Sequence, residues 1–134
     1  MIKTAGGKYV APQRLDGLLK ISPYIAQTHI HGDQKKYIIA LITLDKMSVE
    51  KLAAENGVTA DTWDKLIESS FVQNIVRKAV ADSNSQLASY ESIKKYLVLP
   101  NEFTVESGEL TPSMKVKRKV VDERYKKQID ALYS

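Results

Sequence analysis

Alternating apolar and polar residues predict two short strands at the start of the chain. Residues 1–4 (MIKT) alternate in this way, and residues 8–10 (KYV) can return as the partner strand. Between them, Gly6-Gly7 supplies a two-residue turn in which a positive φ costs little. A short amphipathic helix is predicted over residues 13–19, because its leucines recur at helical spacing: Leu15, Leu18 and Leu19.

The next segment predicts a second pair of strands, at residues 24–31 and 37–44, joined by a polar turn. The later strand is a near-continuous run of aliphatic, largely β-branched residues, which is typical of a central strand buried on both faces. Strict alternation along the earlier strand divides its residues between two faces. One face would carry Ile25, Gln27 and His29, and the other Ala26, Thr28 and Ile30.

Helical periodicity dominates residues 48–88, where Gly57 is expected to end one helix and Ser69 or Ser70 to cap another. A short strand follows at residues 96–99, and one long helix is predicted over roughly residues 116–132. We therefore predict an α+β fold. It would have a small antiparallel or mixed sheet of about three strands, an N-terminal hairpin and flanking helices.

Size and composition favour a single globular domain spanning residues 1–134. Hydrophobic residues make up 43% of the chain and charged residues 27%, and the absence of cysteine excludes disulfides and thiolate metal sites. No signal peptide and no apolar run of membrane-spanning length is apparent, so a cytoplasmic location is the default expectation. The net charge of +4 suits a phosphate-bearing partner. Nucleotides, coenzyme A, nucleic acid and anionic lipid would all qualify.

Two histidines on the predicted strand at residues 24–31 raise the question of a metal site. His29 and His31 share one strand face, and a His-x-His pair can bind zinc, with Asp33 across the turn as a third ligand. Because the sequence offers no further ligand nearby, we expect a pair of ordinary surface histidines and no metal site.

The most informative stretch is residues 108–119, GELTPSMKVKRK. Gly108 frees the backbone and Pro112 disfavours helix immediately before it, so the stretch begins as a loop. A dense group of cations follows, and the pattern then becomes helical. A lysine at such a loop-to-helix junction can be held out toward a ligand.

This stretch resembles the C-terminal lysine motif of acyl-CoA synthetases, the long-chain fatty acid–CoA ligases of the adenylate-forming (AMP-binding) enzymes. In that family the motif reads approximately Gly-Glu-Leu-Thr-Pro-(Thr/Ser)-x-Lys-x-Lys-Arg-Lys. The match places Lys115 at the position of the family's adenylation lysine. Residues 2–12, IKTAGGKYVAP, resemble the segment that opens the C-terminal domain of these ligases. There Gly7 corresponds to a glycine that lines the approach of the thiol to the acyl-adenylate.

The resemblance implies that the chain is a C-terminal lid domain whose partner is its own N-terminal adenylation domain, which this sequence lacks. The absent domain would hold the fatty-acid pocket, most of the ATP site and the Mg²⁺ ligands. The family joins a fatty acid to coenzyme A in two steps through acyl-AMP, and the lid rotates between the steps. Lys8, Lys117 and Arg118 could help to hold the phosphates of coenzyme A. No nucleic-acid partner is implied, and peripheral association of the full enzyme with a membrane is possible.

One alternative belongs to a different class of function. The cations of residues 115–119, together with Lys126 and Lys127, could form a small basic module that binds nucleic acid or an anionic membrane surface. Few aromatic residues are interleaved with these cations, and acidic residues interrupt the run: Asp122, Glu123 and Asp130.

Overall fold

The computed structural model describes residues 1–134, which form two small sheets and six α-helices. In chain order, the elements are β1 (Ile2–Lys3), β2 (Tyr9–Val10), α1 (Pro12–Leu19), β3 (Ile25–His31), β4 (Ile38–Leu44), α2 (Lys46–Glu55), α3 (Trp63–Glu68), α4 (Ser70–Asn84), β5 (Ile93–Leu99), α5 (Arg118–Arg124) and α6 (Lys126–Tyr133). The β1–β2 pair is an antiparallel hairpin. The larger sheet has the order β3-β4-β5, with β3 antiparallel and β5 parallel to β4. The predicted α+β fold with a mixed three-stranded sheet is confirmed.

Strand β4 is the structural centre of the domain. All seven of its residues are buried, as its run of aliphatic residues predicted. Its even-numbered residues, such as Ala40 and Ile42, belong to the larger of two hydrophobic cores. Ile39 and Leu41 belong to the smaller core on the other face. The sheet therefore separates two apolar layers that share one strand.

Different helices cover the two faces of this sheet. Helices α1 to α4 and the β1–β2 hairpin contribute side chains to the larger core, whereas α5 and α6 contribute to the smaller one. Ser69 caps α4 by accepting a hydrogen bond from the Val72 amide, as expected. No helix combines the length and the apolar character needed to cross a membrane.

The predicted faces of β3 are wrong at its first residues. The pairing with β4 shifts register between Ile25 and Gln27, which leaves Ala26 as the extra residue of a β-bulge. Because one extra residue inverts the alternation, Ile25 lies in the larger core, on the opposite face from Gln27 and His29. The assignment of Thr28 and Ile30 to one common face holds.

The predicted single C-terminal helix is two helices. Helix α5 ends at Arg124 and α6 begins at Lys126, with Tyr125 between them at φ −106° and ψ 24°. The helix also begins later than predicted, because residues 115–117 belong to the preceding loop. Strand β5 begins three residues earlier than predicted, at Ile93, where parallel pairing with Ile38 extends it.

Candidate functional site

The segment from Leu110 to Val116, which we call the lysine loop, is a tight antiparallel turn that stands before α5. Leu110 and Val116 form an isolated β-bridge at its base. The Thr111 amide donates to the Lys115 carbonyl at 2.8 Å, and the Lys117 amide donates to the Glu109 carbonyl at 2.8 Å. These bonds close the two ends of the loop on each other. Lys115 thus lies in a defined loop, as the sequence predicted.

Local chemistry explains how the chain turns inside this loop. Met114 adopts φ 67°, a left-handed conformation that is uncommon for a residue with a side chain. The Thr111 side chain supports the turn, because its hydroxyl oxygen accepts a hydrogen bond from the Lys115 amide at 3.1 Å. Side-chain hydroxyls that accept from nearby amides are a common means of holding such turns. The backbone of Lys115 is therefore fixed while its side chain is free.

The Lys115 side chain is exposed and makes no hydrogen bond or ion pair within the chain. It lines a groove of about 460 Å³ that runs between α1, β3 and the lysine loop. The Arg118 side chain lines the same groove, and so does Lys20, the residue directly after α1 and a cation that sequence reasoning missed. Lys20 is not independent of its surroundings, because its ammonium lies 3.6 Å from the Asp16 carboxylate. The groove is thus an open basic surface with one unengaged ammonium group.

Arg118 differs from the neighbouring cations because its guanidinium is already bound. It donates a hydrogen bond to the Ile30 carbonyl at 2.7 Å, which attaches the start of α5 to β3. Burial lowers the pKa of Arg118, and the negative charges of Asp122 and Asp33 act in the opposite direction. A guanidinium stays protonated under such conditions. Lys117, by contrast, has an exposed side chain and contributes only its amide to the loop.

Gly7 occupies the tip of the β1–β2 hairpin. Its φ is 81°, a conformation that favours glycine, and its amide donates to the Thr4 carbonyl at 2.9 Å. A side chain added at Gly7 would meet no atom within 4 Å. Within this chain, the backbone conformation, and not crowding, is therefore what requires glycine here.

The hairpin is attached to the turn between β3 and β4. The Ala5 amide donates to the Lys35 carbonyl at 2.9 Å, and the Lys3 amide donates to the Asp33 carboxylate at 3.1 Å. Lys8 follows the hairpin tip, and its ammonium lies 5.6 Å from the centre of the exposed Tyr90 ring. Neither Gly7 nor Lys8 lines the Lys115 groove. The structure thus brings Lys115 and Arg118 together and leaves Gly7 and Lys8 elsewhere.

The expectation of two ordinary surface histidines is wrong. The His29 side chain is fully buried, and its Nε2 lies 2.6 Å from the Asp122 carboxylate on α5. His31 is mostly buried, and its Nδ1 lies 3.1 Å from the Tyr133 hydroxyl on α6. The reason is that α5 and α6 pack over this face of β3. The partners lie more than 90 residues away in the chain and were invisible to a local pattern.

This histidine cluster is a set of interior hydrogen bonds rather than a metal centre. No group of three or more His, Cys, Asp or Glu side chains in the chain could hold a metal ion. Burial alone would raise the pKa of Asp122. The hydrogen bond from His29 and the charge interactions with His29, His31 and Arg118 outweigh burial, so the pKa of Asp122 lies below its ordinary value. Burial lowers the pKa of His31 despite the opposing charge of Asp122. The cluster attaches α5 to the sheet. Because α5 follows the lysine loop, the cluster also holds the end of that loop near the sheet.

Comparison with known proteins assigns the family. A family model described as "AMP-binding enzyme C-terminal domain" matches residues 1–134. The chain is 42% identical over its whole length to the long-chain-fatty-acid–CoA ligase FadD15 of Mycobacterium tuberculosis, and covers 22% of that protein. It is 31% identical over its whole length to human long-chain-fatty-acid–CoA ligase 6, and covers 20% of it. The chain thus spans about a fifth of the length of these relatives.

A solved structure supports the same assignment. The crystal structure of the adenylation domain of a carboxylate reductase from Mycobacterium chelonae matches 98% of this chain, with a TM-score of 0.71 and 28% sequence identity. The match covers 19% of that chain. The chain belongs to the family of AMP-binding enzyme C-terminal domains.

Proposed function

We propose that this chain is the C-terminal domain of a long-chain fatty acid–CoA ligase. Such an enzyme converts fatty acid, ATP and coenzyme A into acyl-CoA, AMP and pyrophosphate. The names of relatives that match the whole chain support the activity. One structural observation carries the proposal: the Lys115 ammonium stands exposed and without a partner on a loop whose backbone is fixed. The expected partner is an N-terminal adenylation domain in the same protein.

In the first step, Lys115 acts on the adenylation reaction. A fatty acid carboxylate oxygen forms a bond to the α-phosphorus of ATP, and the bond from that phosphorus to pyrophosphate breaks. Negative charge accumulates on the phosphate oxygens in the transition state, so a nearby ammonium lowers the barrier if it acts there more strongly than in the ground state. Lys115 has no internal partner to give up before it meets this charge. A flexible lysine suits a domain that must approach and withdraw.

In the second step, the Gly7 hairpin replaces the lysine loop at the site. The thiol sulfur of coenzyme A forms a bond to the acyl carbon, and the bond from that carbon to the AMP oxygen breaks. A rotation of the whole domain would exchange the two elements, which is a gating motion of the kind seen in many enzymes. An open glycine turn leaves room for the narrow pantetheine arm, and nothing in this chain fills the space beside Gly7.

The remaining cations would contribute to binding coenzyme A. Lys8 and Lys117 have exposed ammonium groups that can meet its phosphates. Arg118 can offer only the part of its guanidinium that Ile30 does not engage. ATP and Mg²⁺ would be held mainly by the N-terminal domain, and no step is assigned to a metal bound by this chain. When bound there, Mg²⁺ would offset phosphate charge.

The experiment separates the two half-reactions in the full-length protein that carries this domain. Lys115→Ala should lower acyl-AMP formation by roughly a hundredfold or more, as loss of one electrostatic catalyst typically does. It should spare thioester formation from supplied acyl-AMP. Gly7→Val should spare acyl-AMP formation and impair the thioester step. Lys51→Ala, which removes an exposed lysine from α2, is the matched control and should change neither. Loss of the same half-reaction in both test variants would refute the proposed roles.

A further inference from the structure

A buried carboxylate, Glu109, lies directly before the lysine loop. Only 4% of the residue is exposed. Its carboxylate accepts hydrogen bonds from the Ser107 hydroxyl at 2.7 Å and from the Tyr125 hydroxyl at 3.0 Å. The Arg124 guanidinium lies 3.5 Å away. A buried charge is tolerated only when it is paired and hydrogen-bonded, and these three contacts meet that requirement for Glu109.

The partners of Glu109 come from both sides of the lysine loop. Ser107 precedes the loop in the chain, whereas Arg124 and Tyr125 lie at the junction of α5 and α6, well after it. Arg124 also donates to the Ser107 carbonyl at 2.7 Å, which joins the same two segments a second time. Through its carbonyl, which accepts from the Lys117 amide, Glu109 also closes the base of the loop itself.

The break between α5 and α6 belongs to the same cluster. Burial, with the hydrogen bond and charge of Glu109, raises the pKa of Tyr125 to about 12. The Tyr125 hydroxyl therefore stays protonated and remains a donor at neutral pH. The neighbouring Glu106 offers a contrast, because it is exposed and its side chain makes no hydrogen bond or ion pair. Of Glu106 and Glu109, only Glu109 therefore takes part in the cluster.

We propose that Glu109 is a positioning residue that fixes the lysine loop against the α5–α6 junction and so sets where Lys115 can reach. Its effect on the loop depends only on the geometry above. Its effect on catalysis rests on the proposed function, because it acts through Lys115. Glu109 itself lies in the interior and does not touch substrate.

The first test measures amide hydrogen exchange in the 134-residue chain. Glu109→Gln should accelerate exchange at the Thr111 and Lys117 amides by roughly tenfold, since it removes a charge-assisted acceptor from the cluster. Amides of β4 should exchange as in the unsubstituted chain. Glu106→Gln is the matched control and should change none of these rates. Unchanged loop exchange, or an equal rise in the loop and in β4, would overturn the proposal.

A milder variant keeps the test decisive if Glu109→Gln does not fold. Tyr125→Phe removes one donor to the carboxylate and keeps the aromatic ring that packs near Phe103. It should accelerate exchange at the same two loop amides by a smaller factor, again without change in β4. Unchanged exchange in the loop, or an equal rise in the loop and in β4, would again overturn the proposal.

The second test uses the full-length protein and distinguishes this proposal from the proposed function. Glu109→Gln should lower kcat of acyl-AMP formation by roughly tenfold with KM for ATP nearly unchanged, and should spare the thioester step. If Lys115→Ala abolishes acyl-AMP formation while Glu109→Gln does not lower it, the positioning role is refuted and the proposed function stands. If Lys115→Ala leaves acyl-AMP formation intact, the proposed function falls, and the exchange data alone decide the role of Glu109.

Discussion

Asp122→Ala tests whether the buried histidine depends on one carboxylate. The His29 ring is fully buried, and Asp122 is its only hydrogen-bond partner, because Nδ1 has none. An ionised carboxylate can only accept, so the proton lies on Nε2 of His29 and the ring donates across the 2.6 Å contact. Truncation at Asp122 therefore leaves both ring nitrogens without a protein partner.

The expected loss of stability follows from these contacts. A hydrogen bond to a charged group contributes about 1.5–3 kcal/mol, and a buried donor left unpaired costs about 1–3 kcal/mol. The Asp122 side chain is 39% exposed, so water can reach part of the vacated space and recover some of this loss. We expect Asp122→Ala to cost about 2 kcal/mol, or roughly 6–8 °C in Tm for a domain of this size. Asp122→Asn keeps an acceptor oxygen and should cost about 1 kcal/mol.

Urea and thermal unfolding of the 134-residue chain, followed by circular dichroism, measure these values. The control is Asp82→Ala, which removes an aspartate from the exposed Lys78–Asp82 pair on α4, where the charges are 2.9 Å apart. Such a pair is worth little in water, so the control should change stability by less than about 0.5 kcal/mol. If Asp122→Ala costs no more than the control, the reasoning about the buried ring is wrong.

Two further predictions concern stability. Gly7→Ala should destabilise the chain by about 1 kcal/mol, because φ at this position is positive. Gly6→Ala, at a position without positive φ, is the control and should be nearly neutral in the same urea titration. Equal losses of stability in the two variants would contradict this account of the hairpin tip. The urea midpoint should also be lower at pH 5 than at pH 7.5. Folding lowers the pKa of His31, so as pH falls the imidazole is protonated in the unfolded chain before it is protonated in the folded one. The free energy of unfolding therefore decreases as pH falls from about 6.5 toward the folded pKa. His31→Phe should reduce this pH dependence of stability, and an equal change of the urea midpoint with pH in both proteins would contradict the assignment to His31.

The fold was predictable where local pattern and burial agree. The largely aliphatic run at residues 37–44 predicted the central strand, observed at Ile38–Leu44, because a strand buried on both faces has no polar face. The Gly6-Gly7 turn predicted the hairpin because few residues accept positive φ. The bulge at Ala26 was not predictable, since an extra residue in β3 is defined only by its pairing with β4.

The candidate site was predictable in part for the same reason. The motif indicated the positions of Lys115 and Gly7, and the structure places both in exposed turns; their catalytic roles stay predictions. Lys20 and two partners of Glu109, Arg124 and Tyr125, were missed because tertiary packing alone brings them to the lysine loop. For Glu109, the sequence offers one local signal that it is not an ordinary surface residue. This signal is its place between Gly108 and Leu110, at the start of a basic stretch.

The two turns depend on separate apolar layers of the domain. Ile2 and Val10, in the strands of the Gly7 hairpin, belong to the larger core. Leu110, at the base of the lysine loop, and Val121, in the helix that follows it, belong to the smaller one. Because β4 stands between these layers, loosening one of them need not disturb the other. Substitutions that loosen one layer can therefore change the mobility of one turn while leaving the other turn as it was.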